Sequence, residues 1–131
     1  MVKKKILVTG ANGLLGQKII YNLKKRTDVT LLACSRGVNR LLETNGYRYI
    51  ELDITNKNEV QRVISLERPD AVINCAAMTN VDKCENNQQE CWDINVNAVE
   101  NIAISCELIK THVLHLSTDF VFDGTAGPYN E

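Results

Sequence analysis

The chain has 131 residues, the size of one globular domain. Its 15 basic and 16 acidic side chains give a net charge of -1, so bulk charge favours neither a nucleic acid nor a membrane surface as a partner. Apolar residues make up 44% of the sequence and occur in short runs, which argues against a transmembrane helix and predicts a soluble protein.

Short apolar and β-branched runs recur along the chain. The first follows Met-Val-Lys-Lys-Lys and stops at Thr9, before it reaches the length of a signal peptide, so we interpret it as a strand. Each run is short enough for a strand that is buried on both faces. The predicted strands are residues 5–8, 29–33, 47–52, 71–74 and 113–116.

Segments with helical spacing lie between these strands. For the second helix, Asn56 is the predicted N-cap with Glu59 as its capping-box partner, and Pro69 ends the helix. Residues 37–46 are long enough only for a short helix or a loop. The apolar positions that define the three helices are Leu15, Ile19 and Leu23; Val60, Val63 and Ile64; and Trp92, Val96, Val99, Ala103 and Cys106.

Alternating strands and helices with short connections predict an α/β fold with a doubly wound parallel sheet of five strands, in the order 3-2-1-4-5. This is the Rossmann NAD(P)-binding arrangement. Ligands in such sheets bind at the carboxyl ends of the strands where the order switches, here between the first and fourth strands. Residues 9–16 and 74–78 are therefore expected at a site.

Gly10, Gly13 and Gly16 follow the first strand and open the first helix. Gly10 permits a tight turn, Gly13 lets the backbone approach a pyrophosphate, and Gly16 allows close helix packing. The helix N-terminus supplies N–H donors and partial positive charge to an anion. The spacing is GxxGxxG, a variant of the dinucleotide fingerprint, and its alternative interpretation is a turn that needs glycine only for its conformation.

The end of the second strand reads Cys34-Ser35-Arg36-Gly37. An acidic residue here would accept hydrogen bonds from the ribose of NAD, but none is present. Ser35 and Arg36 can instead hold a 2′-phosphate, so the sequence favours NADP(H) over NAD(H). The alternative is that Arg36 is a solvated loop cation.

Three further segments end predicted strands. Asp53 is positioned to accept from the adenine amine while Ile54 packs on the ring, although Asp at a turn also forms local hydrogen bonds. The small residues of segment 74–78 allow close approach of a nicotinamide ribose, or simply close strand and helix packing. In segment 115–124 a hydroxyl from Ser117 or Thr118 can bond a substrate carbonyl or serve as a turn former.

The histidines and cysteines predict no metal site. His112 and His115 are three apart on a strand and face opposite sides. The cysteines number five, form no CxxC pair and fall mostly in apolar segments. We therefore expect no zinc site and no disulfide framework, and a reducing cytoplasm fits best.

Six motifs together resemble one family, the dTDP-4-dehydrorhamnose reductases of the extended short-chain dehydrogenases. The resemblance runs from the first strand to the last residue, and its final motif is the most discriminating. The motifs are Val8-Thr-Gly-Ala-Asn-Gly-Leu-Leu-Gly16, Asp53-Ile-Thr55, Pro69-Asp-Ala-Val-Ile-Asn-Cys-Ala-Ala77, Val81-Asp-Lys83, Asn95-Val-Asn-Ala98 and Ser117-Thr-Asp-Phe-Val-Phe-Asp-Gly124.

The resemblance implies reduction of the C4 ketone of a dTDP-linked 6-deoxyhexulose with NADPH, or in some members NADH, to give dTDP-L-rhamnose. A homodimer is a possible assembly. Asn95 matches an asparagine that bends the fourth helix and relays protons in related enzymes. The implied cofactor residues are Gly10, Asn12, Gly13, Leu14, Leu15, Gly16, Ser35, Arg36, Asp53, Ile54, Ala76, Ala77 and Met78; Thr118 is the catalytic hydroxyl and, with Asp119, contacts substrate.

The family's proton donor is a tyrosine four residues before a lysine, on a helix after the fifth strand. This chain ends in Pro128-Tyr-Asn-Glu131 without that pair, so we expect a truncated NAD(P)-binding domain that is inactive by itself. Tyr21 and Lys25 have the spacing, but they lie at the far end of the first helix, and we interpret them as coincidence.

Two rival interpretations remain open. One is another sugar-nucleotide epimerase or reductase, although an epimerase that retains NAD would be expected to carry an acid near position 35. The other is a non-catalytic regulatory subunit that resembles the partner of methionine adenosyltransferase.

Overall fold

A computed structural model describes residues 2–118 and 122–130. All five strands are parallel and pair in the order β3-β2-β1-β4-β5, which confirms the predicted sheet. The elements in chain order are β1 (Lys4–Thr9), α1 (Leu14–Leu23), β2 (Val29–Ser35), β3 (Arg48–Glu51), α2 (Lys57–Glu67), β4 (Ala71–Asn74), α3 (Val81–Asn86), α4 (Gln88–Trp92), a π-helical turn (Asp93–Asn97), α5 (Ala98–Leu108) and β5 (His112–His115).

Helices cover both faces of the sheet because successive strand residues point to opposite sides. Val8 of β1 packs with Ile20 of α1 on one face. Leu7 packs on the other face with Val60 of α2 and Ile102 of α5. These side chains are fully or almost fully buried, so each face holds its own apolar layer.

Helix α2 begins and ends where the sequence predicts. Asn56 is its N-cap, and the Asn56 side chain accepts a hydrogen bond from the Glu59 N–H at 3.2 Å. Arg68 ends the helix in a left-handed conformation, with φ of 46°, and Pro69 follows. Residues 37–46 form a loop, which resolves the open alternative for this segment.

The last helical region differs from its predicted pattern. Trp92 and Val96 are 58% and 39% exposed, whereas Ile102 and Cys106 are buried against the sheet. The π-helical turn Asp93–Asn97 adds a residue to the helical repeat and rotates the following α5 relative to α4. Within residues 2–118 and 122–130, no helix has the length and hydropathy needed to cross a membrane.

Candidate functional site

A cavity of about 220 Å³ lies at the carboxyl ends of β1 and β4, where the strand order switches. Leu52 and Ile94, which the sequence did not indicate, also line this cavity, as does Cys75 of the expected segment 74–78. The selected residues that line it are Gly10, Gly13, Ser35, Arg36, Asp53, Ile54, Ala76 and Ala77.

The glycine turn is the floor of this cavity. Gly10 has a φ of +66°, and a Cβ atom there would lie 2.6 Å from the Ala76 nitrogen. A Cβ at Gly16 would overlap the Gly10 carbonyl oxygen. A Cβ at Gly13 would lie 3.3 Å from the same oxygen, which a small shift relieves. The fold itself therefore requires glycine at positions 10 and 16, whereas position 13 has space.

The N-terminus of α1 faces out from this turn. Gly13 is the N-cap and offers no side-chain cap, and the first turn carries no acidic residue. Leu14 and Leu15 are 81% and 48% exposed, respectively. Because the first N–H groups of a helix lack intrahelical acceptors and carry partial positive charge, this end of α1 suits an anion.

Asn12 connects the glycine turn to the loop after β2. The Asn12 side chain donates to the Val38 carbonyl at 2.9 Å and accepts from the Arg40 N–H at 2.9 Å. Its Nδ2 atom also lies 3.3 Å from the Tyr49 hydroxyl, which donates to the Gly37 carbonyl at 2.7 Å. The side chain of Asn12 thus positions the loop that follows Ser35.

Tyr49 is a positioning residue that the sequence analysis missed. Its hydroxyl lies 3.3 Å from the Ser35 carbonyl oxygen, and burial is the main cause that raises the pKa of Tyr49 above its usual value. Alternation along β3 could have placed Tyr49 on a face of the sheet, but no sequence signal reveals how far its hydroxyl reaches. Ser35 is half-buried and Arg36 is exposed beside the cavity.

Asp53 has a local structural role and also lines the cavity. Its Oδ1 atom accepts hydrogen bonds from the Thr55 N–H at 2.9 Å and the Thr55 hydroxyl at 2.7 Å. Ile54 is only 7% exposed and belongs to the core layer of α2 and α5. The position of Asp53 is therefore compatible both with local hydrogen bonds at a turn and with a contact to adenine in the cavity.

A polar network centred on the buried Asn74 crosses the sheet beside the cavity. Asn74 is 1% exposed and its Oδ1 atom accepts from the Thr9 hydroxyl. The Asn74 Nδ2 atom donates to His115 Nδ1 at 3.0 Å, and Oδ1 lies 3.3 Å from the Ala76 nitrogen. The network joins the ends of β1, β4 and β5 and leads towards the segment that contains Ser117.

A second cavity, of about 680 Å³, shares Ala76 and Ala77 with the first. It extends to Met78, His115 and Thr118. The structure therefore brings the predicted catalytic hydroxyl and the predicted nicotinamide residues to the lining of one cavity. Asp119 lies outside the described residues.

Asn95 supports the wall of the larger cavity from the π-helical turn. Its Nδ2 atom donates to the Met78 carbonyl at 3.0 Å, and its Oδ1 atom accepts from the Met78 N–H at 2.8 Å. The Asn95 side chain therefore bonds both the N–H and the carbonyl group of Met78, and fixes the segment that follows β4.

The expectation of no disulfide is wrong, because Cys84 and Cys91 are bonded. Their Cα atoms are 5.2 Å apart, since α3 and α4 turn back on each other at Asn87. The spacing of the two cysteines in the sequence does not reveal that turn. Cys34 and Cys106 are buried free thiols, as expected for cysteines in apolar segments.

Tyr21 and Lys25 are remote from both cavities, as predicted. The Tyr21 hydroxyl accepts a hydrogen bond from the Leu42 N–H at 3.2 Å, and Lys25 is exposed beyond the end of α1. Among residues 2–118 and 122–130, no three His, Cys, Asp or Glu side chains are grouped as a metal site requires.

Comparison with known proteins gives a family match over nearly the entire chain. The family model described as the RmlD substrate binding domain matches residues 4–131. The chain is 34% identical over 128 residues to a dTDP-4-dehydrorhamnose reductase of Aggregatibacter actinomycetemcomitans, covering 97% of this chain and 39% of that protein.

Two further relatives bear on function. The chain is 30% identical over 128 residues to methionine adenosyltransferase 2 subunit beta of Bos taurus, covering 98% of this chain and 36% of that protein. A crystal structure of dTDP-4-dehydrorhamnose reductase from Bacillus anthracis str. Ames in complex with NADP is 30% identical, with a TM-score of 0.72, covering 96% of this chain and 40% of that chain. The chain thus spans about two-fifths of the length of these relatives.

Proposed function

Because the chain belongs to the RmlD substrate binding domain family, we propose that it forms the cofactor-binding part of an NADPH-dependent sugar-nucleotide reductase. The proposed reaction converts dTDP-4-dehydro-6-deoxy-L-mannose to dTDP-L-rhamnose. The observation that carries the proposal is a pair of adjoining cavities that share Ala76 and Ala77, one at the glycine turn and the other at Thr118. The smaller cavity would hold the cofactor, and the larger cavity, which contains Thr118, would receive the substrate.

The residues of the smaller cavity fit a dinucleotide phosphate. The exposed N-terminus of α1 and the open position at Gly13 suit the pyrophosphate. Ser35 and Arg36 hold the 2′-phosphate through a hydroxyl and a guanidinium. The NADP complex of the Bacillus anthracis relative supports this choice of cofactor, with NAD(H) as the lesser alternative.

The remaining residues position the other parts of the ligands. Asp53 and Ile54 border the adenine, while Ala76, Ala77 and Met78 border the nicotinamide half.

Bound NADPH supplies the hydride in the proposed reaction. Thr118 donates a hydrogen bond to the ketone oxygen, which stabilises the negative charge that develops there. Asp119 contacts the sugar. The proton donor pair of the family is a Tyr-xxx-Lys after the fifth strand, and residues 116–131 contain no lysine. We therefore expect the 131-residue chain by itself to bind cofactor without turnover.

The test uses the protein that carries this chain together with the remaining part of the family fold. Purified protein is mixed with NADPH and dTDP-4-dehydro-6-deoxy-L-mannose, and loss of NADPH absorbance is followed together with the product. We expect dTDP-L-rhamnose to form in equal amount to the NADPH consumed. Thr118→Ala should lower kcat by about 10²-fold or more.

Ser117→Ala is the matched control because Ser117 lines the same cavity and also carries a hydroxyl. We expect the loss at Thr118 to exceed the loss at Ser117 by at least about tenfold. Equal losses would remove Thr118 from the proposed role.

A regulatory subunit is the second candidate function. The relative that favours it is the Bos taurus methionine adenosyltransferase subunit. NADPH binding without NADPH consumption, in the presence of the dTDP-sugar, would favour this candidate. Another sugar-nucleotide reductase or epimerase would instead turn over a different nucleotide sugar under the same conditions.

We propose a cytoplasmic location and a homodimer for the whole protein. The location rests on the cysteine pattern of the sequence, and the homodimer rests on the family resemblance of the chain. Sedimentation of the whole protein with and without NADPH measures the assembly directly.

A further inference from the structure

The disulfide between Cys84 and Cys91 borders the larger cavity. Cys84 lies on α3, Cys91 lies on α4, and both are only partly buried. Small thiols and disulfides in solution therefore have access to the pair. In a protein proposed for a reducing compartment, an accessible disulfide is typical of a reversible redox site rather than of a permanent structural bond.

The pair also contacts the groups that position Met78. Asn95 Nδ2 lies 3.3 Å from Cys91 Sγ while it donates to the Met78 carbonyl at 3.0 Å. Cys84 Sγ lies 3.6 Å from the same carbonyl oxygen. Both sulfur atoms thus adjoin the hydrogen bonds that hold the segment after β4. A change in the redox state of Cys84 and Cys91 therefore acts directly on Met78 and Asn95, which line the larger cavity.

We propose that Cys84 and Cys91 form a reversible thiol–disulfide switch that controls the order of Met78 and the affinity of the adjoining cavity for its ligand. The oxidised pair joins α3 to α4 and keeps the wall in its binding conformation. Reduction removes that cross-link and makes the wall mobile, so binding must then order it. The identity of the ligand, the nicotinamide half of NADPH, rests on the proposed function.

The redox step exchanges two electrons with a small thiol of the glutathione class. One thiolate attacks a sulfur of the pair, forms a mixed disulfide and releases the other cysteine, which takes up a proton. A second small thiol then attacks the mixed disulfide. The second cysteine is released, and the small thiols leave as their disulfide. The reverse sequence, with the small disulfide as oxidant, restores the bond.

The other cysteines are poorly suited to this exchange. Burial raises the pKa of the Cys34 thiol to about 12 and that of Cys106 to about 11. Burial also raises the pKa of Cys75. These thiols remain protonated near neutral pH, and the thiolate is the form that attacks a disulfide. The exchange is therefore expected at Cys84 and Cys91 alone.

The test compares the chain equilibrated with dithiothreitol and with glutathione disulfide, each removed before measurement. Alkylation and mass spectrometry of the peptide that contains both cysteines should give two modified thiols only after reduction. Hydrogen exchange at the Met78 amide should be faster in the reduced chain. The Kd for NADPH, from fluorescence titration, should rise by about fivefold or more on reduction.

The double variant Cys84→Ser/Cys91→Ser is the control and should respond to neither treatment. Equal Met78 exchange in the two redox states, or full alkylation after glutathione disulfide, would overturn the switch. An NADPH affinity that changes less than twofold would also overturn it. If NADPH binds in neither state, the proposed function fails, and Met78 exchange alone still decides the switch.

Discussion

The side chain of Asn95 is paired with the main chain of Met78 through both of its polar atoms. The Met78 N–H donates to Oδ1 at 2.8 Å, and Nδ2 donates to the Met78 carbonyl at 3.0 Å. This pairing joins the π-helical turn to the segment that follows β4. A residue 17 positions away in the chain thus substitutes for the neighbouring strand that would otherwise satisfy these groups.

Asn95→Ala should loosen the wall of the larger cavity. The change leaves two partly buried main-chain groups without their partner, and each costs about 1 kcal/mol or more. We expect a lower melting temperature and a weaker NADPH affinity, measured by calorimetry and fluorescence titration. Asn97→Ala is the control, since Asn97 lies in the same turn but bonds Asp93 at 2.8 Å. Equal effects of the two variants would contradict a specific role for Asn95.

Gly13→Ala should weaken cofactor binding more than folding. Its Cβ has room after a small shift, so the loss of stability should be about 1 kcal/mol, the difference between Gly and Ala at an N-cap. The same Cβ stands where the proposed pyrophosphate approaches, and the NADPH Kd should rise at least tenfold, or about 1.4 kcal/mol.

Gly10→Ala provides the contrast, because its Cβ would lie 2.6 Å from the Ala76 nitrogen at a φ of +66°. We expect this variant to unfold at a much lower temperature. A Gly13→Ala protein that melts early and still binds NADPH normally would contradict the assignment of position 13 to the ligand.

Arg36→Ala should change the choice of cofactor. Loss of a charge-assisted hydrogen bond to the 2′-phosphate costs about 1.5–3 kcal/mol, or roughly 10- to 150-fold in the Kd for NADPH. NADH affinity should stay constant, since NADH lacks that phosphate. Titrations with both cofactors measure the ratio, and Arg62→Ala, an exposed arginine on α2, is the control for charge alone. An equal loss for NADH and NADPH would show that Arg36 does not contact the 2′-phosphate.

Asp70 should contribute to stability only above acidic pH. Hydrogen bonds from the Lys5 N–H, at 2.8 Å, and from the Lys4 ammonium hold the pKa of Asp70 below its usual value. A lowered folded-state pKa stabilises the protein above the unfolded pKa of about 3.9, and that contribution is lost as pH falls through the folded value. Melting curves of Asp70→Asn should therefore approach those of the unmodified chain as the pH falls below about 4.

Glu107 is an exposed carboxylate on α5, and Glu107→Gln is the control. It tests whether the loss of any acidic charge gives the same pH dependence of the melting temperature. A difference between Asp70→Asn and the unmodified chain that does not change with pH would exclude the ion-linked contribution.

Reduction of the Cys84–Cys91 bond should lower the free energy of unfolding. The bond closes a short loop with a sequence separation of 7, for which restriction of the unfolded chain contributes about 2 kcal/mol. Chemical denaturation with and without dithiothreitol gives the difference. The double serine variant should match the reduced chain, and an unchanged midpoint on reduction would contradict this contribution.

The fold was predictable because the strands are short apolar runs with clear boundaries. The predicted third and fifth strands, residues 47–52 and 113–116, differ from the observed Arg48–Glu51 and His112–His115 by one residue at each end. The strand propensity of the residues changes little across these strand ends. Hydrogen bonding to the neighbouring strand therefore decides where each strand stops.

The positions that prediction missed depend on contacts between distant segments. Tyr49 reaches Gly37 across a loop, and the disulfide depends on a turn at Asn87. The π-helical turn places Trp92 at the surface, although its spacing with Cys106 suggests one common face. Local periodicity holds no information about such contacts, because they depend on how separate elements pack.

Asn74 also limits which incorrect sheets the chain can form. Its amide bonds both Thr9 and His115, which stand at the ends of the flanking strands. A slip of either flanking strand would remove one of these side-chain partners from the buried amide, at a cost of about 1–3 kcal/mol. Misaligned pairings of three apolar strands are thus penalised during folding by one polar side chain.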